Sequence, residues 1–357
     1  MNLHEKELLY PLGDALPAPG SHLPVAPGVQ WLRMALPFAL DHINLWLIRD
    51  HMDGVDGWCI VDCCLDNPQA RAQWSQVFDS SLMGLPVLRV LATHLHPDHL
   101  GLAHWLCQHW NVPLYISATD YHTARTLIAH QPPEEGNQAQ TFFRSHGLQD
   151  PQVLAALTDR SLQFVHMVPA LPSQFVRLTD GLVLQIGEHA WHCISGYGHA
   201  PEHMALHCPA LNVLISGDMV LPRISSNISV YDTEPQADPL RLFMQSLSRY
   251  ADLPADCLVL PSHGKPFTGL HQRIGQLLQH HQDRLHDLRD ACTDDDMTAM
   301  DAMAVLFKRQ LDPHQTTFAM GESLAHLHYL WFGGELRRSL TVDGIYRFTP
   351  TAAMSRP

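Results

Sequence analysis

The sequence predicts a mixed α/β fold in which two β-sheets pack against each other with helices outside, followed by a small helical domain. Strand-like runs occur in two sets, and helix-like segments follow each set, as in layered α/β and α+β domains. The runs are short, apolar and bounded by Gly, Pro, Asn or Asp, which is typical of strands. With 357 residues, 46% of them hydrophobic and 16% charged, the chain is globular, and its length favours two domains over one.

The first part of the chain predicts most of one sheet. An irregular leader rich in Pro and Gly is expected at 1–28, and the main domain is expected at 29–269. The dipeptides Asp53-Gly54 and Asp56-Gly57 predict a hairpin turn. A mainly helical insertion is predicted at about 119–170. The elements expected before the insertion are strands at 29–34, 43–48, 58–62, 87–92 and 114–117, and helices at 68–83 and 100–110.

Strands return after the insertion and supply the second sheet. They are expected at 182–186, 190–194, 204–208, 211–215 and 257–260. From Leu270 the apolar spacing becomes helical, and two more helices are expected near 297–310 and 316–332. A final hairpin turns at Asp343-Gly344, so we interpret 270–357 as a C-terminal helical, winged-helix-like domain.

Charge and cysteine usage limit the partners and the compartment. A net charge of −14 with neutral histidine disfavours non-specific binding to nucleic acids or anionic membranes. The N-terminus lacks the basic and apolar regions of a signal peptide, and no apolar run approaches the ~20 residues of a membrane span. The eight cysteines are scattered without a CxxC pair, which favours reduced thiols over disulfides or a cysteine zinc site. We therefore expect a cytoplasmic protein with no membrane partner.

A cluster of candidate metal ligands follows the strand predicted at 87–92. His94 and His96 alternate by two, so they face the same way on an extended backbone, whereas Asp98 and His99 come after a turn. Imidazole and carboxylate together suit Zn, Fe, Mn or Co. Because the chain has 26 histidines, we assign a metal role only to those clustered at strand ends.

Three later strands also end in a candidate ligand, and the full set predicts two adjacent metal sites. Loops at one rim of a sheet converge, so these side chains are expected to meet. The predicted ligands are His94, His96 and His199 for one metal, Asp98, His99 and His263 for the other, and Asp218 as the bridge. We expect two divalent metal ions, with zinc favoured and iron or manganese as alternatives.

The run HLHPDH at 94–99, with GH, GD and SHG later in the chain, resembles the metallo-β-lactamase superfamily, whose signature is HxHxDH plus a separate His, Asp and His. The resemblance covers roughly residues 30–265 and all seven ligand positions. It implies an αββα sandwich with a dinuclear site at one edge. It also implies that Asp62 lies behind a ligand histidine and orients it.

The C-terminal module resembles the winged-helix tail of the subgroup that includes the β-lactamase-like protein 2. This likeness is carried by 321–327 and by the final hairpin. Winged helices often bind DNA, but residues 276–357 hold 11 Asp and Glu against 8 Lys and Arg. That balance favours packing, dimerisation or a wall of the active site over DNA binding.

The chain departs from the family pattern at two places. After His199 it has Ala200-Pro201-Glu202-His203, where the family often has Thr or Ser and then Pro-Gly. Asp62 is followed by two cysteines instead of the common x-Gly. His203 is therefore a candidate proton donor or substrate contact, and an exposed or supporting histidine is the alternative.

The ligand set predicts attack by hydroxide, activated at the dinuclear site, on a carbonyl or phosphoryl centre. Asp98 would orient the hydroxide and take its proton. On the segment after Asp218, Tyr231 is a candidate donor to the leaving group, and Arg223 and Asn227 are candidate substrate-binding residues. A structural role is the alternative for these rim residues.

The insertion limits the class of substrate, since its apolar side chains are expected to form a roof over the site. These are Tyr121, Leu127, Ile128, Phe142, Phe143 and Leu148. A roofed, partly apolar pocket suits a small acyl substrate better than a polymer, and the alternative is that these residues only pack the insertion. We predict a hydrolase of a thioester, ester or lactone, with a homodimer as an option. The alternatives are an endoribonuclease-like nuclease of this fold and a non-enzymatic binding protein.

Overall fold

The computed structural model describes residues 3–129, 138–292 and 296–351. It divides into two compact units. The first unit comprises Met1–Ala129, Phe164–Ser226 and Ser246–Ile274, and the second comprises His130–Gln163, Asn227–Gln245 and Gly275–Pro357. The division at Ile274 lies close to the predicted domain boundary at 269. The second unit, however, also takes in much of the predicted insertion and the segment 227–245.

The first unit contains, in its described residues, a seven-stranded sheet whose strands lie side by side in chain order. The strands are β1 (Leu23–Ala26), β2 (Val29–Ala35), β3 (His42–Met52), β4 (Val55–Val61), β5 (Val87–Leu91), β6 (Leu114–Ser117) and β7 (Phe175–Leu178). Strands β1 to β4 pair antiparallel, and β4 to β7 pair parallel. The β3–β4 turn has positive φ at Asp53 and Gly54, 50° and 80°, as a two-residue hairpin turn requires.

A second sheet faces the first and has, in the described residues, five strands in the order β12-β11-β10-β9-β8. Its strands are β8 (Val183–Ile186), β9 (His189–Gly196), β10 (His203–Cys208), β11 (Val213–Gly217) and β12 (Leu258–Pro261). Strand β10 is antiparallel to both β9 and β11, and β12 is parallel to β11. Strands β9, β11 and β12 therefore run in the same direction and end at the same edge of the sheet.

Helices occupy most of the remaining described chain. They are α1 (Pro68–Ser80), α2 (Pro97–Leu100), α3 (Ala103–Trp110), α4 (Ala118–Ala129), α5 (Gln138–Arg144), α6 (Pro151–Met167), α7 (Pro239–Ser248), α8 (Leu270–Ala291), α9 (Ala299–Leu306) and α10 (Pro313–Phe332). A short hairpin of β13 (Leu336–Leu340) and β14 (Tyr346–Pro350) follows α10.

Two apolar layers stabilise the first unit, because side chains alternate between the faces of a strand. On β3, Trp46 points into the layer between the two sheets, where Trp31 and Trp191 are also fully buried. Leu45, the preceding residue on β3, points into the layer that α1 and α3 cover, which includes Trp74. Each fully buried large side chain contributes about 1.5–3 kcal/mol, so this double layer dominates the stability of the unit.

The second unit combines helices with the terminal hairpin. Thr298 caps α9 in a reciprocal capping box with Asp301. The backbone N–H of Tyr346 donates to the carbonyl of Ser145 at 2.7 Å, which joins the segment after α5 to the hairpin. Phe348 is fully buried, and its strand pairs with Met297. This unit thus connects part of the predicted insertion with the C-terminal module.

The structure confirms the predicted fold class, a two-sheet sandwich with helices outside and an additional C-terminal domain. The leader was predicted to be irregular, but it contains a 3₁₀ helix at Leu3–Glu7 and the edge strand β1, where Pro24 is tolerated because an edge strand has unpaired N–H positions. Strand β7, four residues at a sheet edge, was not predicted. Helix α7 was not predicted either, although Leu240, Phe243 and Leu247 show helical spacing and are fully buried.

The remaining differences are small. The helix predicted at 100–110 is two helices, because Pro97 starts α2 within the histidine cluster and the chain turns before Ala103. The helices and terminal hairpin expected at 270–357 are present, and their winged-helix assignment stays a prediction. In the described part of the chain, none of the helices is both long and apolar enough to cross a membrane. All eight cysteines lie in described residues, and they are buried thiols that form no disulfide there.

Candidate metal centre

The predicted ligands lie where four strands of the first unit end. His94 follows β5, His199 follows β9, Asp218 follows β11 directly, and His263 follows β12. Hydrogen bonds between the two sheets close this edge. The N–H of Met204 donates to the carbonyl of Thr93 at 2.7 Å, and Asn44 Nδ2 donates to the carbonyl of Pro261 at 2.8 Å. The sandwich therefore brings strand ends from both sheets to one place.

Three histidines and one carboxylate oxygen form the first ligand group. His94 Nε2 lies 2.9 Å from His96 Nδ1 and 3.3 Å from His199 Nε2. Asp218 Oδ2 lies 3.3 Å from His199 Nε2 and 4.0 Å from His94 Nε2. His96 thus faces the group through Nδ1, whereas His94 and His199 face it through Nε2.

The second ligand group contains Asp98, His99 and His263. Asp98 Oδ2 lies 3.6 Å from His99 Nε2 and 3.4 Å from His263 Nε2. The other oxygen of Asp218, Oδ1, lies 3.6 Å from His99 Nε2 and 3.5 Å from His263 Nε2. Asp218 therefore points one oxygen at each group, which is the arrangement that a bridging ligand needs.

The electrostatics differ between the two groups. Burial lowers the pKa of His94 well below its usual range and that of His96 to about 3, so both rings are neutral at pH 7, the form that binds metals. In the second group, burial opposes the charged form of His263, but Asp218 and Asp98 raise its pKa to about 10. Burial disfavours the Asp98 carboxylate as well, yet His99 and His263 lower its pKa to about 2. Without a bound cation, the His263 ring is therefore protonated at pH 7 beside the ionised Asp98, and a metal ion that binds here would displace the ring proton.

The donor set fits divalent cations. Among the described residues, Asp218 Oδ1 and His99 Nε2 are buried atoms without a hydrogen-bond partner. The ring nitrogens of His94, His96 and His199 converge on one another, and an imidazole nitrogen that carries no proton offers its lone pair to a metal. Neutral imidazoles and carboxylates at such a point are the ligands of zinc, and also of iron and manganese.

Asp62 supports the second group, as the family resemblance implied. It is fully buried, and its Oδ2 lies 2.8 Å from His99 Nδ1. The backbone N–H and the hydroxyl of Thr93 also donate to Asp62, at 2.7 Å and at 2.9–3.0 Å. Asp62 has a φ of 64°, a left-handed conformation that turns the chain as β4 ends. The contact fixes the His99 ring with Nε2 towards the ligand group.

His203 lies in a different environment from the one we predicted. It is fully buried, and its Nε2 accepts a hydrogen bond from the backbone N–H of Asp218 at 3.1 Å. Burial lowers its pKa well below the usual range, so the ring is neutral. An Nε2 engaged with a backbone N–H is not available to donate a proton to substrate. The geometry favours the alternative, a supporting histidine that holds the backbone of Asp218.

The contacts described for Arg223 and Asn227 are with acidic side chains outside the two ligand groups. Arg223 Nε pairs with Glu5 at 3.1 Å, and the arginine side chain is more than half exposed. Asn227 and Tyr231 belong to the second unit, where Asn227 Nδ2 lies 3.4 Å from Glu322 Oε2. Their roles in substrate binding and proton donation stay predictions.

Most apolar residues of the predicted roof are buried in cores or pack against one, which favours the alternative that they pack the insertion. Tyr121 belongs to the apolar layer outside the first sheet, and Leu127 and Ile128 pack against that layer. Phe143 and Leu148, in the second unit, are also buried. On the helices this burial is expected, because an amphipathic helix buries its apolar face against the nearest core.

Three residues that hold the ligand loops were missed in the sequence. Thr93 donates to Asp62, as described above. The carbonyl of His42 accepts from His263 Nδ1 at 2.7 Å, and His42 Nε2 accepts from the N–H of Gly264 at 2.8 Å. Asp120 is fully buried and accepts from two backbone N–H groups of the ligand loops; burial raises its pKa to about 7 although these bonds lower it. The one available signal was that Asp120 follows a strand whose end lies at the ligand edge.

Comparison with known proteins agrees with this architecture over most of the chain. Residues 39–263 match the family model of the Metallo-beta-lactamase superfamily. Residues 285–351 match a second model, described as Metallo-beta-lactamase-like, C-terminal domain. A curated relative, the probable metallo-hydrolase YqjP of Bacillus subtilis, is 22% identical over 313 residues, which cover 84% of this chain and 91% of the relative.

Solved structures extend the similarity to both units. A beta-lactamase domain protein from Burkholderia ambifaria is 50% identical, with a TM-score of 0.92 over 98% of this chain and 100% of that chain. A metallo-beta-lactamase family protein from Thermus thermophilus is 27% identical, with a TM-score of 0.74 over 91% of this chain and 99% of that one. With a family model spanning more than half of its length and with the αββα sandwich in place, the chain belongs to the metallo-beta-lactamase superfamily.

Proposed function

We propose that this protein is a metal-dependent hydrolase that holds two divalent cations and cleaves a thioester, ester or lactone of a small or acyl compound. The observation that carries the proposal is the position of Asp218, with one carboxylate oxygen facing each ligand group. The family and its metallo-hydrolase relatives support a hydrolase. The substrate class is our inference from charge, as described below.

The chain supplies the ligands and the proton acceptor. When bound, the cations would lower the pKa of a water molecule to near neutrality and polarise the oxygen of the scissile group. His94, His96 and His199 would hold one cation, and His99, His263 and Asp98 the other. Asp98 is ionised at pH 7, and its side chain is 18% exposed, so water can reach its carboxylate. It would orient the attacking water and accept its proton.

Charge favours an acyl substrate over a nucleic acid. The net charge is −14, and a phosphate backbone is bound mainly by Lys and Arg. In the second unit several arginines are already engaged: Arg289 with Glu335, Arg347 with Asp296, and Arg338 over the rings of Trp331 and Tyr346. This pairing reduces the number of cationic groups that a polymer could meet.

Elemental analysis beside a substrate panel tests the proposal. We expect about two equivalents of zinc, iron or manganese per chain, and turnover of at least one thioester, ester or lactone in a panel that also holds β-lactams and phosphodiesters. His96→Ala should lower kcat/KM by about 100-fold or more, since even residues that support a metal ligand are worth 10–100-fold. The matched control is His166→Ala, an exposed histidine outside the ligand groups, which should behave as wild type.

Each contrary result has a definite meaning. Turnover of phosphodiesters without acyl hydrolysis would replace the proposal with a nuclease. Less than one metal per chain, with equal behaviour of His96→Ala and the parent protein, would indicate a binding protein of this fold.

A further inference from the structure

We propose that Asp120 is a positioning residue that clamps the loop of His94 and His96 to the loop of His199 and so sets the geometry of the first ligand group. The inference rests on the proposed metal-dependent function. Asp120 is distant in sequence from every predicted ligand, and neither the family signature nor the motif spacing points to it.

The clamp is built from both oxygens of one buried carboxylate. Asp120 lies in the first turn of α4 and is fully buried. Its Oδ2 accepts from the backbone N–H of Leu95 at 2.8 Å, and its Oδ1 accepts from the backbone N–H of Glu202 at 2.8 Å. Its own N–H donates to Ser117 Oγ at 3.1 Å, which fixes the start of the helix relative to the end of β6.

These two donors belong to the two ligand loops. Leu95 lies between His94 and His96, so a hydrogen bond to its N–H holds the backbone that carries both rings. Glu202 belongs to the turn that begins at His199 and leads into β10. A second contact supports the same connection: Thr119 Oγ1 donates to Glu202 Oε2 at 2.7 Å. One carboxylate therefore ties together loops that come from different sheets.

The two ligand groups have separate supports. Asp62 orients His99 of the second group through a direct contact with its ring. Asp120 acts on the first group through the backbone, without touching a ligand ring in the contacts described above. A general loss of stability would affect both groups, whereas loss of the Asp120 clamp should affect the first group selectively. This difference makes the role testable.

Asp120→Asn is the informative variant, because an amide keeps the shape of the side chain but offers one acceptor oxygen where the carboxylate offers two. The measurement is Zn²⁺ affinity by calorimetry and Co²⁺ binding by absorption spectroscopy on metal-free protein. Two backgrounds separate the groups: His263→Ala disables the second, and His199→Ala disables the first. We expect Asp120→Asn to weaken binding about 10–100-fold in the His263→Ala background and to change it little in the His199→Ala background.

Two controls complete the experiment. Asp62→Asn should show the opposite selectivity. Asp50→Asn changes another buried carboxylate, whose partners are the N–H groups of His51 and Gly187 and the side chain of Arg89, and should alter stability but not Zn²⁺ affinity. If Asp120→Asn does not fold, Thr119→Val is the substitute, because it removes only the side-chain hydrogen bond to Glu202. This variant should lower the Zn²⁺ affinity of the first ligand group about threefold, as the loss of one hydrogen bond does.

The outcomes distinguish this inference from the function on which it rests. If the parent protein binds no divalent cation, the proposed function fails. If the parent protein binds two cations but Asp120→Asn behaves like Asp50→Asn in both backgrounds, the positioning role of Asp120 is wrong while the function stands. The same conclusion holds if Asp120→Asn does not fold and Thr119→Val leaves the affinity of the first site unchanged.

Discussion

Gly217→Ala should damage the centre from a position that carries no ligand. Gly217 immediately precedes Asp218 and has a φ of 53°, in the left-handed region. A Cβ atom there would overlap Nε2 of His203 and lie 2.5 Å from its Cε1. The imidazole would have to move, and it is the acceptor for the backbone N–H of Asp218 at 3.1 Å.

The magnitude follows from two separate costs. An alanine in the left-handed region costs about 1–2 kcal/mol. Displacing His203 leaves the buried N–H of Asp218 without its acceptor, which costs about 1–3 kcal/mol more. We therefore expect the free energy of unfolding to fall by about 2–5 kcal/mol, and we expect both metal sites to weaken because Asp218 faces both ligand groups.

Gly181→Ala is the matched control, since Gly181 lies in the same unit with a φ of 71° and its added Cβ would meet nothing within 4 Å. It should show the conformational cost of about 1–2 kcal/mol and unchanged metal binding. Urea unfolding of metal-free protein and Zn²⁺ calorimetry measure both quantities. The reasoning is refuted if Gly217→Ala destabilises no more than Gly181→Ala and binds two equivalents of zinc with parental affinity.

Three further predictions concern stability. His146, His326 and His328 are buried in the second unit, and burial lowers the pKa of each to about 4. These histidines take up protons below about pH 6.5 in the unfolded chain but only near pH 4 in the folded unit. The stability of the unit should therefore be intact above pH 6.5 and fall between pH 6.5 and pH 4 by up to about 3 kcal/mol per histidine. Hydrogen exchange of α10 at pH 7 and pH 5 checks this, and equal protection at both pH values would contradict it. Arg89→Ala should lower the free energy of unfolding in urea by about 3–5 kcal/mol, because it leaves Asp50 buried without its cationic partner. A loss below about 1 kcal/mol would show that water compensates the charge. Chelation of the metal should lower the melting temperature, and added Zn²⁺ should restore it. Each occupied site stabilises the folded state by about 2.7 kcal/mol when the free metal concentration is 100 times Kd. A melting temperature independent of metal would contradict the assigned ligands.

Much of the fold was predictable from local patterns. Strands such as β4 and β5 are continuous apolar runs bounded by turn residues, so their position follows from local composition. Strands β1 and β7 were missed because edge strands are short and partly exposed, and their pairing partners, rather than their residues, make them strands. The division into units was also beyond local patterns, since the second unit gathers segments that are far apart in the sequence.

The residues of the candidate metal centre were likewise predictable only in part. The seven ligand positions were identifiable because chemically specific side chains stand at strand ends in a known spacing. Asp62 was identified through the family resemblance, whereas Asp120 and His42, which also act through hydrogen bonds, have no distinguishing neighbours in sequence. His203 was singled out as a candidate proton donor or substrate contact with a supporting role as the alternative, and its burial and its contact with the N–H of Asp218 favour the supporting role.

The sequence by itself determined the chemistry of the ligands, their order along the chain and the strands that deliver them, because these depend on residue type and short-range periodicity. Only the tertiary structure decided that Asp218 turns one oxygen to each ligand group, that Asp62 and Asp120 stand behind different groups, and that the apolar residues of the insertion pack into cores. These properties depend on distances between segments separated by tens to hundreds of residues. Such distances are set by the packing of the two sheets, which no local pattern encodes.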